Sequence, residues 1–199
     1  MTDQSIALLA ASWFTGGLAG SILTLTTQCI TRIWQRPTLE IAFDDKDSGC
    51  CILTVTNPRR HHVRIKIINS GQSTARNVSV CVTKLTLKGS TAGAREFSEE
   101  VFDLKLVNHD KVSLFVLAPK GHRYLDLAHI SEGDPTHFDF DLQPELGRLR
   151  ERDGFGANKG DYGVEVFASA DNAKAIRRAI SWSWDGQFSG LKNFSVSHV

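Results

Sequence analysis

Between Asp3 and Arg32 no side chain carries a charge. Within that window the stretch "IALLAASWFTGGLAGSILTLTTQCI", Ile6 to Ile30, is 25 residues long, more than the roughly 20 a helix needs to cross the hydrocarbon core of a bilayer. A helix in water must offer one polar face, and a run this apolar on all sides fits lipid better. The sequence therefore predicts a transmembrane helix over about residues 6–30, inside a membrane anchor of residues 1–36, with the lipid bilayer as its first partner. Trp34 falls where a headgroup belt residue belongs, whereas Trp13 lies deeper. Thr24, Thr26 and Thr27 weaken the far end but can return their hydroxyls to the helix backbone. A cleaved signal peptide is the alternative. It wants a basic segment ahead of a shorter apolar run, and "MTDQS" holds no Lys or Arg.

Arg32 and Arg36 follow the run directly, Arg59 and Arg60 come a little later, and only Asp3 precedes it. The positive-inside rule then keeps the rest of the chain in the cytoplasm, giving a single-pass membrane protein with a cytoplasmic C-terminal domain. Ser12, Gly16, Gly20 and Thr24 recur every four residues and form one stripe of the helix. Small side chains there let a second helix approach closely, which would give a homodimer through the stripe. The competing reading is that Gly and Thr are simply common in membrane helices. Arg32 and Arg36 are the only basic residues before Pro37 and Asp3 the only acidic one, so the formal charge of +1 falls to zero for the remainder. A neutral domain has no electrostatic reason to bind nucleic acid.

From Pro37 the apolar period changes to two. "LEIAFD" alternates at Leu39, Ile41 and Phe43. "HVRIKIIN" sets Val63, Ile65 and Ile67 on one face and Arg64 and Lys66 on the other, the pattern of a half-buried antiparallel strand. "NVSVCVTKLTLK" begins with Val78, Val80 and Val82 inward and continues with Leu85 and Leu87. The slip of one residue near Thr83-Lys84 is what a bulge or a change of sheet produces. "CILTVT", "RYLDLAHI", "HFDFDL", "YGVEVFAS" and "AISWSWDGQF" bring the total to about eight strands, and Asp185-Gly186 reads as a tight hairpin. "AREFSEEVFDLKL" places Phe97, Val101 and Leu104 at helical spacing and reads as a short helix or an irregular crossover, with "NAKAIRR" as a further turn. The fold class is mainly β, an N-terminal transmembrane helix followed by an antiparallel β-sandwich over residues 37–199.

"IINSGQSTARNVSV" interrupts the alternation. Asn69 and Gly71 close one strand, each able to take the left-handed backbone of a turn. Ser73 and Thr74 have hydroxyls for loop amides, Ala75 is small enough to pass beneath a crossing, and Asn77 can tie the loop to a neighbouring backbone. These six residues read as architecture. The segment "INSGQSTARNVSV" resembles the N-x-G-x-[ST]-A-x-N-V pattern of bacterial immunoglobulin-like modules of the cell-adhesion-related (CARDB-like) kind. With the apolar anchor, "WQRPTLEIAFD" and "ISWSWDGQF", the chain is similar to bacterial single-pass membrane proteins that carry such a domain. The resemblance implies an immunoglobulin-like sandwich. Such modules usually lie outside the cytoplasm, against the charge argument.

No pattern of residues announces chemistry. Cys50 and Cys51 are adjacent, Cys81 lies in a strand and no C-x-x-C occurs, so neither a zinc knuckle nor a thioredoxin-type centre is expected. Reduced thiols suit the cytoplasm, and a bridge from Cys50 or Cys51 to Cys81 suits export. His61 and His62 point to opposite faces of a strand and cannot share a metal. His109, His122, His129, His137 and His198 are scattered, so no metal site is expected. "DDKDSG" fails as a calcium loop because, counted from Asp45, Cys50 stands where the loop needs glycine; it reads as an acidic turn. "GFGANKG" lacks the Gly-Lys-Ser/Thr ending of a phosphate cradle. Trp182 and Trp184 share a strand face and read as core. The expected function is a membrane-anchored, non-enzymatic interaction or scaffolding module with a protein partner of unknown identity and no cofactor. An exported adhesion or envelope-binding domain is the alternative. An enzyme with an unrecognised site, signalled by a pocket joining His122, Asp126 or Asp161, is the third.

Overall fold

The computed structural model describes residues 35–55, 57–88, 95–97, 101–107, 114–143 and 159–199. The expected membrane helix over residues 6–30, with Ser12, Gly16, Gly20 and Thr24, lies outside the described residues. Among those described, no helix is long and apolar enough to cross a membrane. Pro37–Val199 is one compact unit, mainly β and antiparallel, with thirteen strands among the described residues where the sequence suggests about eight.

The strands form two layers. In the first, β1 (Leu39–Ala42) and β2 (Cys51–Leu53) occupy successive stretches along one side of β3 (Arg60–Asn69). The other side of β3 pairs with β8 (His122–Ser131), which carries β9 (Asp134–Phe140) beyond it. In the second layer β4 (Ala75–Lys88) pairs with β11 (Gly160–Ala170), then come β12 (Ala173–Trp184) and β13 (Leu191–His198). The opposite side of β4 takes three short strands in succession: β7 (Phe115–Leu117), β6 (Phe102–Leu106) and β5 (Arg95–Phe97). β6 belongs to both layers. Phe102 and Asp103 pair with β4, and Lys105 and Leu106 pair with β8. β10 (Leu142–Gln143) pairs with β6 at Leu104 and Asp103.

Alternation explains which faces meet. Val63, Ile65 and Ile67 are fully buried while Arg64 and Lys66 stay on the outer face. Burying each of the three is worth roughly 1.5–3 kcal/mol. A slip of one residue would expose all three and bury two charges, so the register is strongly fixed. The expected slip in β4 is a bulge. Val82 faces Val166 and Lys84 faces Glu165, so Thr83 is the extra residue. Between the layers Tyr162 stacks on Trp182, with ring centroids 5.8 Å apart at 8°, and Phe140 lies 6.2 Å from each. Trp182 and Trp184 are both buried in this core.

Two expectations of helix are corrected. "AREFSEEVFDLKL" forms β5 and β6, because Phe102, Leu104 and Leu106 alternate with Asp103 and Lys105 and all three are buried. Val101, part of the supposed helical stripe, is exposed. In "NAKAIRR" Asn172 is the turn, and the residues from Ala173 onward lie in β12, held in register against β11. The Asp185-Gly186 hairpin is also longer than the dipeptide implies. β12 and β13 separate at Trp184 and Leu191, and Gly186 takes φ 87° inside the connection. There the Trp184 indole donates to the Gln187 carbonyl at 2.9 Å, and the Asp185 carboxylate accepts from the Gln187 amide at 3.1 Å.

The connection from β3 to β4 is organised by Asn69. Its side chain is fully buried. Its amide nitrogen donates to the carbonyls of Ser73 (2.7 Å), Leu117 (3.1 Å) and Ala118 (3.2 Å). Its oxygen accepts from the amides of Gly71 (3.1 Å) and Thr38 (3.2 Å). One side chain thus joins the start of β1, the end of β3, the loop and the end of β7. Ala75 is buried beneath this knot. Ser73 and Thr74 contribute carbonyls, Thr74 accepting from Asn172 Nδ2 at 2.9 Å. The left-handed residue is Asn77, with φ 51°, rather than Asn69 or Gly71. Asn77 reaches the carboxylate of Asp171 at 2.6 Å, a side chain in place of the expected backbone partner. Removing the Asn69 amide strands several buried backbone groups, each costing about 1–3 kcal/mol. Asn69→Ala is therefore expected to lower stability by on the order of 3 kcal/mol in urea denaturation. Asn77→Gly, which trades one exposed hydrogen bond for relief at positive φ, stays within about 1 kcal/mol of the parent.

Candidate functional site

The outer face of β3, β8 and β9 gathers the densest set of chemistry-bearing side chains described. On β3 the even-numbered residues face outward, which places His62 beside Arg64. On β8 the alternation breaks. Val63 faces Ala128 and Arg64 faces Asp126, so Leu127 is an extra residue and both Leu127 and Ala128 are buried. A bulge of this kind re-aims the side chains beyond it. Here it returns His129 to the outer face that Asp126 already occupies, directly across the ladder from His62. Beyond β8, Phe140 and Leu142 turn inward, which leaves Asp139 and Asp141 for the other side. Asp139 is the cross-strand partner of His129. Asp141 is pinned by its own amide, which donates to the Leu127 carbonyl at 2.9 Å.

The rings of His62 and His129 lie 5.4 Å apart and tilted by 31°. His129 Nδ1 is 3.0 Å from Asp141 Oδ2, and its Nε2 is 4.0 Å from Asp139 Oδ2. Asp126 is engaged elsewhere, its Oδ1 accepting from Arg64 Nε at 2.6 Å. The same oxygen lies 3.8 Å from His62 Nδ1, too far for a hydrogen bond. His62 Nδ1 is buried and has no hydrogen-bond partner. Burial holds the His62 imidazole below the ordinary histidine value, against the pull of Asp126. Around the two rings the three carboxylates Asp126, Asp139 and Asp141 stand against the Arg64 guanidinium and against Lys105, which faces Asp126 across the ladder.

A second outward cluster sits at the acidic turn "DDKDSG". Asp47 accepts from its own turn at Gly49 N (2.8 Å), from Lys66 Nζ (2.9 Å) and from the Tyr124 hydroxyl (3.0 Å). Lys66 also lies over the Tyr124 ring, 5.4 Å from its centroid. The turn is a clamp between β1 and the outer face of β3 and β8. The Lys66 ammonium, followed by the Gly49 amide, lowers the Asp47 pKa to about 2.

The three residues offered as an enzyme signature are not brought together. His122 meets Tyr124 edge-on at 5.4 Å, Asp126 binds Arg64, and Asp161 on the other layer accepts from Ser183 Oγ at 2.7 Å. His61 and His62 do point to opposite sides, His61 meeting the Phe188 ring edge-on at 6.4 Å. Of the histidines scattered in the sequence, His129 is brought beside His62 by the pairing of β3 with β8. Cys50, Cys51 and Cys81 are free thiols whose pKa values burial raises, Cys51 to about 11. No family model matches the chain, and no curated protein matches it.

The Asp47 clamp makes a pH prediction. A carboxyl whose folded pKa is depressed contributes stability above its unfolded value of about 4, and loses it as pH falls toward the folded value. The Asp47 carboxyl should therefore titrate near about 2 by NMR, and Asp47→Asn should remove part of the stability change between those limits. At Gly49 a Cβ would stand 2.1 Å from Tyr124 Cζ, so Gly49→Ala pushes the ring off Asp47. That variant is expected to move the Asp47 midpoint back toward the ordinary range.

Proposed function

We propose that the protein is a membrane-tethered, non-enzymatic interaction or scaffolding module, with an immunoglobulin-like, CARDB-like body of the bacterial single-pass kind held on the cytoplasmic side. The observation that carries this reading is the uncharged run from Ile6 to Ile30 followed, from Pro37, by one compact β body. A chain built this way confines its folded part to the membrane surface, where local concentration favours weak contacts. Exposed apolar side chains support a contact role. On the short strand β7 Val116 is 58 % exposed and its neighbour Leu114 is 63 % exposed, while Leu53 at the end of β2 is 53 % exposed. At the far end of the second layer β13 closes the strand order, and a terminal strand is a ready template for an added one.

Three measurements test the reading. The full-length protein should stay with membranes through alkaline carbonate washing. Leu9→Arg combined with Leu18→Arg, at about 2.5–3.5 kcal/mol for each charge, should release it. Alkaline phosphatase fused after Val199 should be inactive; activity there would place the body outside and favour the exported alternative. A photo-crosslinking residue at Val116 should capture a discrete protein in native membranes, whereas one at buried Val80 should not. Full-length protein recovered in the soluble fraction would overturn the tether.

A further inference from the structure

The geometry points to a binding site for a divalent first-row transition ion of the zinc class at His62, His129 and Asp141, on the outer face of the first layer. One ligand atom from each of the three can be chosen so that all lie within 4.8 Å of one another. Tetrahedral bonds of roughly 2.0–2.2 Å set two ligand atoms on one ion about 3.3–3.6 Å apart. A pair standing as far apart as 4.8 Å therefore needs to close by roughly 1 Å or slightly more, which side-chain torsions on a sheet surface can supply.

Two features set this cluster apart from an ordinary polar surface. The first is His62 Nδ1, buried without a hydrogen-bond partner. Such a group in a folded protein calls for an explanation, and a bound ion supplies one. The second is the arrangement behind the ligands. Asp126 is held by Arg64 and cannot neutralise His62 by a direct hydrogen bond. Asp139 lies on the Nε2 side of His129 at 4.0 Å, beyond hydrogen-bond distance in this arrangement. Closing onto that nitrogen would let it fix the ring and strengthen it as a donor. The surplus of negative charge also favours a dication.

Two imidazole nitrogens and one carboxylate oxygen select imidazole-preferring ions over calcium or magnesium, which want oxygen alone. Three protein ligands leave a further position for water. His62 comes from β3, His129 from the far side of the Leu127 bulge and Asp141 from just past the end of β9. Occupancy would therefore cross-link β3, β8 and the segment that follows β9. The inference is independent of the tethering proposal, because it concerns this face whichever side of a membrane it occupies.

The test uses the tag-free, full-length chain in a mild detergent, with Co2+ and then Zn2+ alone as probes. Wild-type protein should take one equivalent of Co2+ with visible d–d absorption, and Zn2+ should displace it. His62→Ala and His129→Ala should each weaken binding by more than the ten- to hundredfold typical of losing an outer partner. Asp141→Asn, which keeps the side chain's shape, should weaken it at least about tenfold. His61→Ala should bind like wild type, since His61 leaves the strand on the other side. Zn2+ should raise the melting temperature of wild type and His61→Ala but not of His62→Ala. Far-UV circular dichroism checks that the variants fold, and if an alanine variant does not, Asp141→Asn decides. No Co2+ uptake, uptake unchanged by the site substitutions, equal loss in His61→Ala, or a thiolate-to-cobalt charge-transfer band would each overturn the proposal.

Discussion

The antiparallel ladder between β3 and β8 sets both sides of the first layer at once. Inward, it aligns Val63, Ile65 and Ile67 with Leu125, Leu127 and Ile130, which are buried with them. Outward, the same register places His62 against His129 and Arg64 against Asp126. The hydrophobic gain on one face is large compared with any single polar contact on the other. The core therefore decides the register, and the polar face inherits it. The bulge at Leu127 is where the two demands are reconciled. It lets a second small apolar residue, Ala128, enter the core and shifts His129 and its successors by one place.

Much of this body can be read from its residues. The alternation of β3, the phase slip at Thr83 and the inward tryptophans of β12 are all local patterns, and each is visible within a dozen residues. β5, β7 and β10 are too short to alternate convincingly. Their extended state comes from partners on β4 and β6, near in sequence for β5 but distant for β7 and β10. β6 is disguised in the sequence because its Leu104 falls at helical spacing from Phe97 and Val101, which lie before the strand. The knot around Asn69 is half visible. A polar residue ending an apolar strand marks a turn, but its bonds to Leu117 and Ala118 depend on the placement of β7.

The histidine and aspartate cluster lies beyond the sequence for a different reason. His62, His129 and Asp141 obey no spacing rule, since only strand pairing unites them. One trace exists in "LDLAHI", where Leu127 and Ala128 break the alternation. A break of this kind marks a bulge, and bulges are often found beside functional side chains. That signal directs attention to His129, though not to its partners.

The double membership of β6 has a mechanical meaning. Five residues are bonded to β4 at one end and to β8 at the other. A sandwich whose sheets touch only through side chains can shear or gape between them. In this one any such sliding would first have to tear main-chain bonds, so the two halves share a rivet. Force applied to one half is transmitted to the other, and the body responds as a single stiff block.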